Sequence, residues 1–203
     1  MHADRSPNPV TASPQPPVAP ARVVAVAASA RHRFSKQTVA RIELLEGVGV
    51  DGDAHAGATV QHLSRVRRDP TVPNIRQVHL IHAELFEALA GQGYDVGPGQ
   101  LGENITTKDV DLLGLPGGTV LHLGETAIVR LTGLRNPCAQ IESFGVRQAR
   151  PGLLKEVLHT TDAGEVVRLA GVMGVVVTGG PVAPGDEIRV VLPEGLREPL
   201  APV

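Results

Sequence analysis

The chain has 203 residues, room for one domain and hardly for two. Aromatic residues make up only 2% of it (three Phe, one Tyr, no Trp) against 42% apolar, so the core must be aliphatic, led by 28 valines, and a base-stacking platform for single-stranded nucleic acid is all but excluded. A net charge of −2 and an isoelectric point near 6.4 leave neither nucleic acid nor an anionic membrane the basic surface it would require.

In chain order, residues 1–21 hold six of the 17 prolines and no apolar signal-peptide core, and are expected to form a disordered or polyproline-like leader. All 23 glycines fall between 47 and 195. A single ordered domain is expected over 22–192, with 193–203 a proline-bearing tail lying over the surface or left free. Strands are predicted at 22–28, 39–44, 77–81, 119–123, 127–132, 165–169, 172–178 and 187–192, from short β-branched runs bounded by turn residues. Gly124 centres a hairpin between Leu121 and Ala127. Helical spacing is clearest over 82–90, where Leu85, Phe86 and Leu89 share a face, and a second short helix fits 152–159. Many short strands with few helices predict a mainly β (α+β) domain, bent or closed as a β-barrel. No run of about 18 apolar residues occurs, so no membrane span is expected. With one cysteine, Cys138, and hence no internal disulfide, a reducing, cytoplasmic setting follows as the expectation.

Several chemistries lack their signatures. Gly47-Val-Gly-Val-Asp-Gly52 matches the dinucleotide fingerprint, but Asp53-Ala-His-Ala-Gly57 follows where a long helix should aim its dipole at a pyrophosphate. Asp53, His55 and His62, with His79 and His82 further on, lack the convergent spacing of a zinc site. No Gly-x-Ser-x-Gly elbow is present. Better candidates are the polar loops beside strands: Arg76 in Pro73-Asn-Ile-Arg-Gln77, Asn104 and Thr106 in Gly102-Glu-Asn-Ile-Thr-Thr107, and Arg135 in Gly133-Leu-Arg-Asn-Pro-Cys138. Such loops present amide, hydroxyl and guanidinium donors to an anion. Pro137 pins the backbone next to Cys138. A helix opening at Cys138 would set the thiol against its N-terminus and Arg135, the setting of a reactive cysteine or of a ligand for a soft or high-valent metal.

Taken together, Phe34-Ser-Lys36, Gly49-Val-Asp-Gly-Asp-Ala-His-Ala-Gly57, Asn74-Ile-Arg-Gln-Val78, Pro98-Gly-Gln-Leu-Gly-Glu-Asn-Ile-Thr-Thr107, Asp111-Leu112, Thr132-Gly-Leu-Arg-Asn-Pro-Cys138 and Gly185-Asp186 resemble the MOSC family, the domain found at the C-terminus of molybdenum cofactor sulfurases and as free-standing bacterial proteins. The resemblance implies a β-barrel-centred fold whose pocket cysteine, here Cys138, ligates the metal of the molybdenum cofactor (molybdopterin). Arg135, Arg76, Asn104 and Thr106 would hold the pterin or its phosphate, and His55 and Asp53 would shape the pocket wall. It further implies reduction of N-hydroxylated compounds as the activity, or, as the alternative, a non-catalytic carrier of the cofactor or of a persulfide on the same cysteine. No pyridoxal phosphate is expected in this chain. Since one cysteine holds no iron–sulfur cluster, the implied partners are a small-molecule substrate or cofactor and a separate electron-transfer or sulfur-donor protein.

Overall fold

The computed structural model describes residues 19–203; most of the expected leader lies outside them. Eight strands form one mixed sheet: β1 (Arg22–Ala28), β2 (Gln37–Val39), β5 (Val78–His82), β6 (Ile105–Lys108), β7 (Val120–Leu123), β8 (Ala127–Leu134), β11 (Val172–Thr178) and β13 (Ile188–Val191). Their order is β13-β7-β8-β11-β5-β6-β1-β2. Two small sheets flank it, one of β12 (Gly180–Val182), β3 (Ile42–Leu45) and β4 (Gly49–Val50), the other of β9 (Leu158–Thr160) and β10 (Val166–Arg168). The helices are α1 (Leu63–Val66), α2 (Ala83–Gly91), α3 (Ala139–Arg147) and α4 (Leu153–Val157).

The mainly β reading holds, and among the described residues the strand ladders run from β13 to β2 without a full ladder joining the sheet's ends. The outer strand β13 meets β1 through one bridge, Arg22 to Glu187, and a few backbone bonds such as Val23 N to Asp186 O at 2.8 Å. On that edge of β1, β2 takes up Val26–Ala28, leaving the first residues of β1 for β13.

Alternation along the strands decides what each face carries. Leu80, Val172 and Leu134 stand side by side across β5, β11 and β8, and all pack in the aliphatic core. One residue earlier on β5 and β8, and one later on β11, the row His79–Met173–Gly133 turns to the opposite face. That face is covered in part by a second cluster, in which Ile81 packs with Leu85, Phe86 and Leu89 of α2 and with Ile141 and Phe144 of α3. The predicted face of α2 is the one buried.

β6 is the element the sequence reading treats as polar loop. Ile105 pairs with Leu80 in a parallel ladder to β5 and with Val26 in an antiparallel ladder to β1, so Thr106 and Thr107 are fully buried between two neighbours. A parallel pair needs a crossover, and α2 supplies it. The tail is docked: Pro199 bridges Pro116, Pro202 bridges Leu134, and Leu200 is buried. No helix among the described residues is long and apolar enough to cross a membrane.

Candidate functional site

A cavity of about 530 Å³ opens over the His79–Met173 row, within the size range of small-molecule sites. Loops from distant parts of the chain wall it: Arg33 to Lys36 after β1, His55 to Arg65 after β4, Asn74 and Arg76 before β5, Gly102 and Asn104 before β6, Arg135 to Cys138 after β8, and Pro202 and Val203 of the tail. Six cationic residues line it (Arg33, Lys36, Arg65, Arg76, Arg135 and Arg168), and among the described residues no acidic side chain does. In a chain of net charge −2, this concentrates positive potential in one concave place.

Cys138 is a free, half-exposed cysteine at the N-cap of α3, in extended backbone (φ −132°, ψ 168°). Pro137 disfavours helical backbone at Asn136 before it. The thiol donates only a long 3.7 Å bond to Gln140 Oε1. Beside it stands Arg135, whose backbone N–H is held by Gly171 O at 2.9 Å and whose Nη1 is buried without a hydrogen-bond partner among the described residues. Burial pushes the Arg135 guanidinium down from its ordinary value, with the Cys138 sulfur as the main opposing influence. Burial, followed by the charges of Arg65 and Arg135, likewise pushes Arg76 down to about 10. Arg76 therefore stays cationic at neutral pH.

Behind the wall lies a buried polar cluster centred on Asp53. Its Oδ2 accepts from Lys36 Nζ at 2.7 Å, Ser29 N at 3.1 Å and Asn104 Nδ2 at 3.2 Å, and its Oδ1 from His55 N at 2.9 Å and His55 Nδ1 at 3.2 Å. Burial alone would raise this carboxyl; the His55 bonds and the Lys36 charge outweigh it and hold it well below the usual carboxylate range. Asn74 staples the same loop by donating to His55 O at 3.1 Å and Gly57 O at 3.0 Å, while its Oδ1 accepts from Arg76 N at 3.0 Å.

Of the residues singled out from sequence, Cys138, Arg135, Arg76, Asn104 and His55 meet around this one cavity. Asn104 has little left to offer a ligand: its Nδ2 donates to Ala27 O and Asp53, and its Oδ1 accepts from His79 N at 3.2 Å. Asp53 and Thr106 do not reach the lining. Thr106 is buried in β6 and donates to Glu103 Oε1 at 3.3 Å; Asp53 acts through Lys36 and His55. The sequence reading passes over Lys36, Asn74, His62 and His79 as site residues. A lysine or histidine gives no sign in sequence of facing a cavity, though Lys36 and Asn74 do stand within the motifs that carry the family resemblance.

The fold is that of a mainly β domain with a cationic cavity and a cysteine at its edge. The family model for the MOSC domain matches residues 53–189, and the chain belongs to that family. Among solved structures it is similar to the YuaD protein from Bacillus subtilis, at 23% identity and a TM-score of 0.69, over 84% of this chain and 94% of that one. It is also similar to YiiM from Geobacillus stearothermophilus (17% identity, TM-score 0.57, 85% and 75% covered) and YiiM from Escherichia coli (16%, 0.54, 87% and 73%). No curated protein matches the sequence.

Proposed function

We propose that the cavity holds the molybdenum cofactor, with Cys138 as the metal's sulfur ligand, and that the protein reduces N-hydroxylated compounds with electrons from a separate redox protein in the cytoplasm. The observation that carries this reading is the cavity lining: six cationic residues, no acidic side chain among the described residues, and a free thiol on the same surface. The residues present fit the group. The unpartnered Nη1 of Arg135 is a buried donor in want of an anion, and an orphaned charged donor of that kind costs stability until a ligand meets it. Arg76 and Arg135 would grip a phosphate, Cys138 would meet the metal, and His79 and Met173 would floor the site. When bound, the cofactor supplies the two-electron redox chemistry.

The half-exposed thiol equally supports the second reading, a carrier that passes on a persulfide or the cofactor itself. The test is metal and pterin analysis of the protein purified from a host that makes the cofactor. Stoichiometric molybdenum and pterin are expected, both lost in Cys138→Ser. Absence of both from the wild-type protein overturns the reductase reading, and a one-sulfur mass gain on Cys138 after incubation with a sulfur donor then selects the carrier.

A further inference from the structure

We infer that His55 is the proton donor of the cavity, its imidazole set by the buried Asp53 carboxylate so that Nε2 faces the bound molecule. The inference rests on the reductase reading above. His55 lines the cavity while its Nδ1 points back to Asp53 Oδ1 at 3.2 Å. An ionised carboxylate can only accept, so the neutral imidazole carries its hydrogen on Nδ1 and leaves Nε2, on the far edge of the ring, as the group that exchanges protons.

Asp53 is suited to orient rather than to take the proton. Its two oxygens receive five donors from four residues, two of them backbone N–H groups, and the pair with Lys36 is sealed from water. A carboxylate in that position fixes the ring and stabilises the imidazolium without itself becoming protonated. The other groups facing His55 are imidazoles and cations. His32 meets it edge to face at 5.2 Å and His62 lies at 6.3 Å. Burial, and next the charge of Arg76, lowers the His62 pKa, so it stays neutral beside His55. The ring is also 30% exposed, enough for reprotonation from water.

The chemistry proposed above consumes protons: one N-hydroxylated base takes up two electrons and two protons and gives the parent base, with N–H in place of N–OH, and one water. The two electrons come from the redox partner protein. The N–O bond breaks, and the departing oxygen takes the proton from His55 Nε2 and leaves as water; the second proton, taken up by nitrogen, comes from solvent. His55 is reprotonated from solvent through its exposed edge.

Two measurements test this. In the apo protein with labelled histidine, NMR should find neutral His55 in the Nδ1–H form, and Asp53→Asn should weaken that preference, because the ionised acceptor that fixes the tautomer is removed. An Nε2–H form in the wild type overturns the inference. Should Asp53→Asn fail to fold, His55→Gln decides, since it leaves the Lys36–Asp53 pair in place. In cofactor-loaded protein supplied with electrons by reduced methyl viologen, His55→Gln should lower kcat for an N-hydroxylated base by about 100-fold, with KM and molybdenum content unchanged. An active wild type and a His55→Gln variant within about threefold of it across the pH range overturn the role of His55 alone. A molybdenum-loaded wild type that reduces no such compound overturns the reductase reading and this role together.

Discussion

Lys36 Nζ lies 2.7 Å from Asp53 Oδ2, and neither side chain exposes more than 3% of its surface. Breaking such a pair by removing one partner costs about 3–5 kcal/mol, because the other charge is left buried alone. Lys36→Met should therefore lower the unfolding free energy by that order, read by urea denaturation.

The pair also sets the acid limit of the protein. Asp53 is held well below its ordinary value in the folded state. Its contribution is thus complete above the unfolded pKa of about 3.9 and is lost only as pH falls toward the lower folded value. Lys36→Met takes away a cation that holds the carboxyl down. The acid-unfolding midpoint, followed by far-UV circular dichroism, should then move to higher pH than in the wild type. A midpoint unchanged in the variant would show that Asp53 owes its ionisation to its hydrogen bonds alone.

Arg135 offers a buried Nη1 with no partner among the described residues. A hydrogen bond to a charged group contributes about 1.5–3 kcal/mol, so Arg135→Gln should weaken binding of pyrophosphate by about 10- to 100-fold, measured by isothermal titration. Affinity of the wild type should fall as salt is raised, with a steeper dependence than the variant shows. Equal affinities would mean that the guanidinium does not face the anion.

Much of this arrangement is legible before the chain is folded. β1 and β11 fall at their predicted bounds, because a β-branched run between turn residues has few other uses. Arg135 and Cys138 are legible together because one short loop with a proline carries both. β6 is not, since Asn104, Thr106 and Thr107 look like turn chemistry until two neighbouring strands bury them. Lys36 and Asp53 are illegible as a pair for a different reason. Lysine is almost never buried unless matched, and the match comes from a loop beyond three intervening strands.

Cys138 touches little that holds the fold together. Half-exposed, and donating only the 3.7 Å bond to Gln140 Oε1, it should tolerate Cys138→Ser within about 0.5 kcal/mol in urea unfolding. The loss should fall instead on molybdenum content. A large destabilisation with unchanged metal content would mark the sulfur as packing rather than chemistry.

Gly133 is where the tail and the cavity depend on one position. A Cβ placed there would collide with the Val203 side chain and lie 2.5 Å from Ala201 O. The tail is held at this point by Leu134 N to Ala201 O at 2.8 Å and Val203 N to Leu134 O at 3.2 Å, and Pro202 and Val203 complete the cavity wall. Gly133→Val therefore cannot keep both the strand and the tail in place. Strain of this kind costs about 1–3 kcal/mol when it is absorbed in the core, but here the tail can lift away at the loss of two backbone hydrogen bonds. The expected outcome is a small stability change with faster proteolytic cleavage near 193–203 and weaker pyrophosphate binding. A tail that stays protected while the urea midpoint drops sharply would show instead that the sheet, not the tail, gives way.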